Sequence, residues 1–163
     1  SILQAEGFDF TYEIVGDGEL EYNLAELVRQ CGLGRKVVFL GARNHDYIAN
    51  FLHEIDIFIS HNVTSISGVQ ECIPNTLKEA MLSGFPVFST FHGGIPELIN
   101  DEINGFLTEE KDIQQLVDKL KKFAFPLQDL ESITCNARDM VVEMFNNDRL
   151  NKQLVNRYYS LLQ

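Results

Sequence analysis

Positive charge is scarce in this sequence. Its 163 residues carry 13 Lys and Arg against 24 Asp and Glu, a formal net charge of −11 at pH 7. This argues against nucleic acid as a partner, because such binding relies on basic side chains neutralising phosphates. Any phosphate the chain does take has to be held locally, by backbone dipoles or a few basic groups. Cysteine is sparse as well: Cys31, Cys72 and Cys135 are odd in number, far apart and without CxxC spacing. Neither a disulfide framework nor a zinc site is expected, and a reducing cytoplasm fits that usage. His45, His53, His61 and His92 are scattered without metal-ligand spacing, so no metal site is expected. Long apolar runs are missing, which leaves no transmembrane-helix or secretory-signal pattern. Internal repeats and low-complexity segments are missing too.

What remains is an ordinary globular composition, 45% hydrophobic and 23% charged, read as one domain over residues 1–163. Short apolar runs rich in β-branched and aromatic residues predict strands at Phe10–Val15, Lys36–Leu40, Asp56–Ser60, Pro86–Thr90 and Gly105–Leu107. Amphipathic stretches between them predict helices at Glu19–Cys31, with Leu20, Leu24, Leu27 and Val28 apolar, and at His45–His53, capped by Asn44. A short helix follows His92-Gly93-Gly94, and Lys111–Phe123 is amphipathic, with Lys119, Lys121 and Lys122 on its expected solvated face. A purely helical tail runs from about residue 127, after Phe125-Pro126, the nearest thing to a boundary. Alternating strands and helices imply a Rossmann-like three-layer α/β/α sandwich around a parallel sheet, in which ligands bind at the carboxyl ends of strands. Gly16–Gly18, Gly41–Arg43, Ser60–Asn75 and His92–Glu97 all follow such ends.

The stretch Gln70–Gly84, QECIPNTLKEAMLSG, concentrates the chemistry. Pro74 is placed as the first residue of a helix that Gly84-Phe85-Pro86 ends. Unpaired backbone N–H groups at that helix start suit an anion, so Cys72, Ile73, Pro74 and Asn75 are expected to receive a phosphate. Glu71 in the loop and Glu79 down the helix flank this point. Two carboxylates on either side of a diphosphate match the hydroxyl-bearing ends of a nucleotide sugar. Taken singly, both acids also read as ordinary solvated glutamates.

With these pieces assembled, the chain resembles the C-terminal, donor-binding half of the group 1 family of retaining GT-B glycosyltransferases, over nearly its whole length. Glu71 and Glu79 stand at the family's E-x7-E spacing; EIVGDGELEYNLAELVRQCGLGRKVVFLG, DIFIS and GFPVFSTFHGGIPELINDEINGFLTEEKD are similar to its other stretches, in its order. The wording VTSISGVQECIPNTLKEAM with FHGGIPELI is most similar to members assembling exopolysaccharide, capsule or colanic acid.

The resemblance implies transfer of a hexose from a nucleotide diphosphate sugar, such as a UDP- or GDP-hexose, to an acceptor hydroxyl with retention and without a metal or other cofactor. It implies that Glu71 contacts the hexose, Cys72 to Asn75 hold the diphosphate, and Glu79 binds the ribose. Gly41, Ala42 and Arg43 then lie against the base, and Gly16 borders the nucleotide. Cys72-Ile73-Pro74 departs from the family's usual aromatic and glycine, which bears on sugar preference. Residues matching the family's glycine-arginine and lysine, its first strand and its acceptor-binding N-terminal domain are not found. The expectation is therefore an incomplete sheet and an inactive isolated chain. The complete protein would meet a glycan or lipid-linked acceptor through that other domain, with peripheral membrane contact at the inner face of the plasma membrane open to it. A nucleotide-sugar epimerase of the same fold and a non-catalytic receiver-like or nucleotide-binding module are the alternatives.

Overall fold

A computed structural model of the chain describes residues 1–65, 67–68, 70, 72–124 and 130–162. The chain forms two compact units, Ser1–His53 and Glu54–Gln163, which are taken in turn.

The first unit runs α1 (Ile2–Ala5), β1 (Tyr12–Val15), α2 (Glu21–Gln30), β2 (Val37–Gly41) and α3 (His45–Phe51). β1 and β2 pair in parallel from Tyr12 opposite Val37 to Ile14 opposite Phe39, after which the register slips and Val15 faces Gly41. Gly41 supplies the positive φ of 67° at this slip, and the Gly16 N–H closes the ladder on its carbonyl at 3.0 Å. α2 ends where expected: Gly32 has a φ of 68°, its N–H reaches Arg29 O at 3.1 Å, and Leu33 N–H reaches Val28 O at 2.9 Å. These are the two bonds of a glycine-terminated helix end. Asn44 caps α3 by accepting the Tyr47 N–H at 2.9 Å, and Leu52 is buried. The apolar side of α2 is a correction, because Leu20, Leu24 and Leu27 are exposed and only Val28 is half-buried. A two-stranded ladder has too little width to cover a helix face.

The second unit contains β3 (Phe58–Ile59), α4 (Asn75–Ser83), β4 (Val87–Thr90), α5 (Ile95–Leu98), β5 (Phe106–Thr108), α6 (Ile113–Ala124), α7 (Leu130–Met144) and α8 (Asn147–Leu161). Its parallel ladder has the order β3-β4-β5, with Phe88 of the central strand opposite both Ile59 and Phe106. Every residue of β4 is buried, as expected for a strand flanked on both edges. Phe88 stacks on Phe106 at 4.5 Å between centroids, Phe123 meets both edge-on, and Ile133 completes the cluster. Side chains of this size contribute roughly 1.5–3 kcal/mol each on full burial. α4 turns Leu77, Ala80 and Met81, three and four residues apart, into the core and packs against α7.

Each unit holds its own parallel ladder, β1-β2 in the first and β3-β4-β5 in the second. Lys119 is a second correction. Although Lys122 on the same helix is exposed, Lys119 is 9% exposed and paired to Asp101, whose Oδ1 also accepts the Leu107 N–H at 2.8 Å. The aliphatic stem covers core while the ammonium finds a carboxylate on the β5 turn. Buried Asn104 holds the same turn, accepting the Asn100 N–H at 2.7 Å and donating to Leu98 O at 3.1 Å. The Phe125-Pro126 boundary lies outside the described residues. Among those residues no helix is long and apolar enough to cross a membrane.

Candidate functional site

The loop from β3 to α4 is built on the polar end of β4. Buried Ser89 donates its hydroxyl to Ser60 O and Thr90 donates to Asn62 O, each at 2.7 Å. These bonds satisfy hydroxyls that could not otherwise be buried, and they fix where the chain leaves β3. His61 sits between them with both ring nitrogens buried and without a hydrogen-bond partner among the described residues. Burial pushes its pKa down, partly opposed by the negative charge of Glu110.

Three segments distant in sequence then meet. Glu110 Oε2 accepts the Thr64 N–H at 2.7 Å, while its Oε1 accepts the Thr64 hydroxyl at 2.8 Å and faces His92 Nδ1 at 2.7 Å. A carboxylate oxygen at that distance accepts, so Nδ1 carries the proton. These donors, the His92 bond first and then the Thr64 amide and hydroxyl, hold the Glu110 carboxyl down to about 2. His92 is buried, and its carbonyl accepts the Ile95 N–H at 3.0 Å to form the turn into α5. Gln70 Nε2 donates to the Thr64 hydroxyl at 3.1 Å, bracing the loop on itself.

The same turn presses on the start of α4. Gly94 N–H donates to Cys72 O at 3.2 Å. A Cβ on Gly94 would stand 2.9 Å from Ile73 Cγ1 and 3.4 Å from Cys72 O, so only glycine permits this approach. Pro74 is corrected from first helical residue to the residue before the helix: its φ of −59° and ψ of 134° are extended, and Asn75 begins α4. Proline is comfortable there because it has no N–H to lose. Among the described residues no side chain caps α4, and Gly84, with a φ of 85°, ends it as expected. Glu79 is half-buried, and among the described residues its carboxylate has no hydrogen-bond or ion-pair partner. Lys78 lies 5.2 Å over the Phe145 ring, on the side of α7.

The structure thus places Cys72 and Ile73 against Gly94, with Pro74 and Asn75 following at the start of α4 and Glu79 about one helical turn further along it. Glu71 lies outside the described residues. In the first unit Gly16 and Gly41 are joined backbone to backbone, Ala42 follows in the exposed turn, and the Arg43 guanidinium lies 4.9 Å over the Tyr47 ring. The Thr64–Glu110–His92 network is what the sequence did not disclose. His92 stands out as a residue after a strand, but Glu110, inside TEEKD, reads as a solvated acid and nothing in spacing links it to Thr64. Among the described residues no group of three or more His, Cys, Asp or Glu could hold a metal ion.

Residues 1–139 match the family model described as glycosyl transferases group 1. WcaL of Salmonella typhimurium, a protein named for colanic acid biosynthesis, is 38% identical over 162 residues, covering 99% of this chain and 39% of WcaL. The amylovoran biosynthesis glycosyltransferase AmsK of Erwinia amylovora is 36% identical over 153 residues, 94% of this chain and 38% of AmsK. The chain therefore spans about two fifths of the length of these relatives. Among solved structures, Anabaena Alr3699/HepE in complex with UDP has a TM-score of 0.80 and 29% identity, over 93% of this chain and 41% of that one. The same protein with UDP-glucose gives a TM-score of 0.78 at 29% identity, over 92% of this chain and 41% of that one.

Proposed function

The chain belongs to the group 1 glycosyl transferases, and we propose that it is the donor-binding half of a hexosyltransferase. The reaction is transfer of a hexose from a nucleotide diphosphate sugar to an acceptor hydroxyl with retention, in the assembly of a cell-surface polysaccharide. The relatives named for colanic acid and amylovoran biosynthesis support the polysaccharide reading, and the UDP and UDP-glucose complexes of HepE support the donor class.

The observation that carries the reading is the start of α4: a run of backbone amides without a side-chain cap among the described residues, clamped by Gly94 and adjoined by a half-buried carboxylate that has no partner among those residues. Departure of the diphosphate builds negative charge, and amide hydrogens fixed before the reaction stabilise that charge without reorganising. In a chain of net charge −11 this local device takes the place of a basic surface. Glu79, whose carboxylate has no partner among the described residues, accepts hydrogen bonds from the ribose hydroxyls. Glu71 orients the hexose. This chain alone binds the donor and does not turn it over.

Titration of the chain with UDP, UDP-glucose and GDP by calorimetry tests this. Removing a charged acceptor that takes ribose hydroxyls costs about 1.5–3 kcal/mol, so Glu79→Ala weakens the preferred nucleotide roughly 10- to 100-fold. Equal affinity of the variant and the parent removes the ribose role. No binding of any of the three nucleotides defeats the proposal.

A further inference from the structure

We propose that Glu110 and His92 form a positioning clamp that holds the beginning and the end of the β3–α4 loop in one geometry, so that the amides at the start of α4 are aimed before the donor arrives. The inference rests on the donor-binding reading of that helix start.

One carboxylate serves both arms. On one side Glu110 takes the amide and the hydroxyl of Thr64, five residues beyond the end of β3. On the other it takes Nδ1 of His92, which is buried and so cannot swing away. His92 carries the turn whose Gly94 N–H holds Cys72 O and whose Cα lies against Ile73, the residues just before α4. The beginning of the loop and its end are thereby tied to each other through Glu110, over a path of hydrogen bonds each 3.2 Å or shorter. A loop this long would otherwise sample many conformations, and ordering it on binding would cost affinity. Neither Glu110 nor His92 needs to touch the donor for this. They act through Thr64 and Cys72.

Substitution separates the clamp from a simple contribution to stability. In Glu110→Gln the amide oxygen still accepts the Thr64 N–H, and the NH2 group meets a hydroxyl that can rotate and an imidazole whose Nδ1 accepts once its proton moves to Nε2. The network re-forms, so Glu110→Gln keeps UDP affinity within about threefold of the parent. Glu110→Ala and His92→Phe cut the tie and weaken UDP about tenfold or more while changing UMP affinity less, because the lost alignment concerns the second phosphate. Thr64→Val, which removes only the hydroxyl arm, weakens UDP in the same direction by a smaller factor and stands in where Glu110→Ala does not fold.

Amide hydrogen exchange of the unliganded chain gives a readout independent of any nucleotide. Protection at Thr64 and at Gly94 falls in Glu110→Ala and is kept in Glu110→Gln. If Gly94 protection is unchanged in Glu110→Ala, the two arms are not coupled and the clamp is wrong. UDP and UMP weakened by equal factors, or Glu110→Gln as damaging as Glu110→Ala, overturns it as well. If the parent chain binds none of UDP, UDP-glucose and GDP, the donor-binding reading fails, and the exchange experiment still decides whether the two arms are coupled.

Discussion

Gly94→Ala is the sharpest test of the idea that the turn after β4 sets the geometry of the α4 start. Gly94 has a φ of −85° and a ψ of −1°, which any L residue adopts, so the substitution adds no backbone strain. Its whole effect is steric. The new methyl would lie 2.9 Å from Ile73 Cγ1, against a carbon–carbon optimum of about 3.5–4.0 Å, and 3.4 Å from the Cys72 carbonyl oxygen. Something has to give by more than half an ångström. Overpacking of this kind costs about 1–3 kcal/mol, which for a chain of this size lowers the melting temperature by roughly 2–12 °C.

The loop yields more readily than the turn, because the turn is anchored by buried His92 and by Ile95, whereas Cys72 is exposed. The displacement then passes to the amides of α4. Misaligning one hydrogen bond to a charged phosphate costs about 1.5–3 kcal/mol, so UDP binds roughly 10- to 100-fold more weakly. Gly105→Ala is the matched control. Its methyl would meet Val87 Cγ2 at 2.9 Å and Ile99 Cγ2 at 3.0 Å, a similar clash in a different part of the core. It lowers the melting temperature and leaves UDP affinity unchanged. Calorimetric titration of both variants, with thermal unfolding alongside, makes the comparison. Undiminished UDP affinity in Gly94→Ala, or equal losses in both variants, refutes the reasoning.

Two further expectations concern pH and charge. Glu110 is depressed to about 2 in the folded chain, so its contribution is present above the ordinary carboxylate value of about 4.3 and is lost as pH falls from there toward 2. Burial depresses His61 as well, and for a base that must charge as acid is added the sign is the same, with stability falling as pH drops below about 6.5. Thermal unfolding followed from pH 7 to pH 3 should show a progressive loss that is shallower below about pH 4.5 in Glu110→Gln; an identical slope in the two proteins contradicts the assignment. Lys119→Met leaves Asp101, which is 32% exposed, without its partner and costs about 1–3 kcal/mol, discounted for that exposure. Lys122→Met, at a lysine 74% exposed, changes stability by less than about 0.5 kcal/mol. Equal melting temperatures for the two lysine variants would show that the Asp101 pair contributes nothing.

The sequence legibly placed the elements and their ends. Short β-branched runs became β1 to β5 within a residue or two, Asn44 capped α3 through its side chain, and Gly32 and Gly84 ended α2 and α4 in the left-handed region. Pro74 was off by a single position, because proline suits the last extended residue before a helix as well as its first turn. The solvated reading of Lys119 failed for a different reason. Helical periodicity marks a face, and it does not say which neighbouring loop folds over that face with a carboxylate. The exposed leucines of α2 fail in the same way, since an apolar stripe states a need for cover and leaves the cover unspecified.

By itself, then, the sequence determined element type, element order, helix termini and the family, because these follow from local propensities, capping chemistry and motifs within short windows. Only the tertiary structure decided that Thr64 and Glu110, 46 residues apart, share hydrogen bonds, and that Glu110, 18 residues from His92, meets its buried ring. It alone decided that Gly94 lies close enough to Ile73 to exclude a methyl group. Such contacts follow from how strands order themselves in a ladder and where their loops converge, which no periodicity along the chain records.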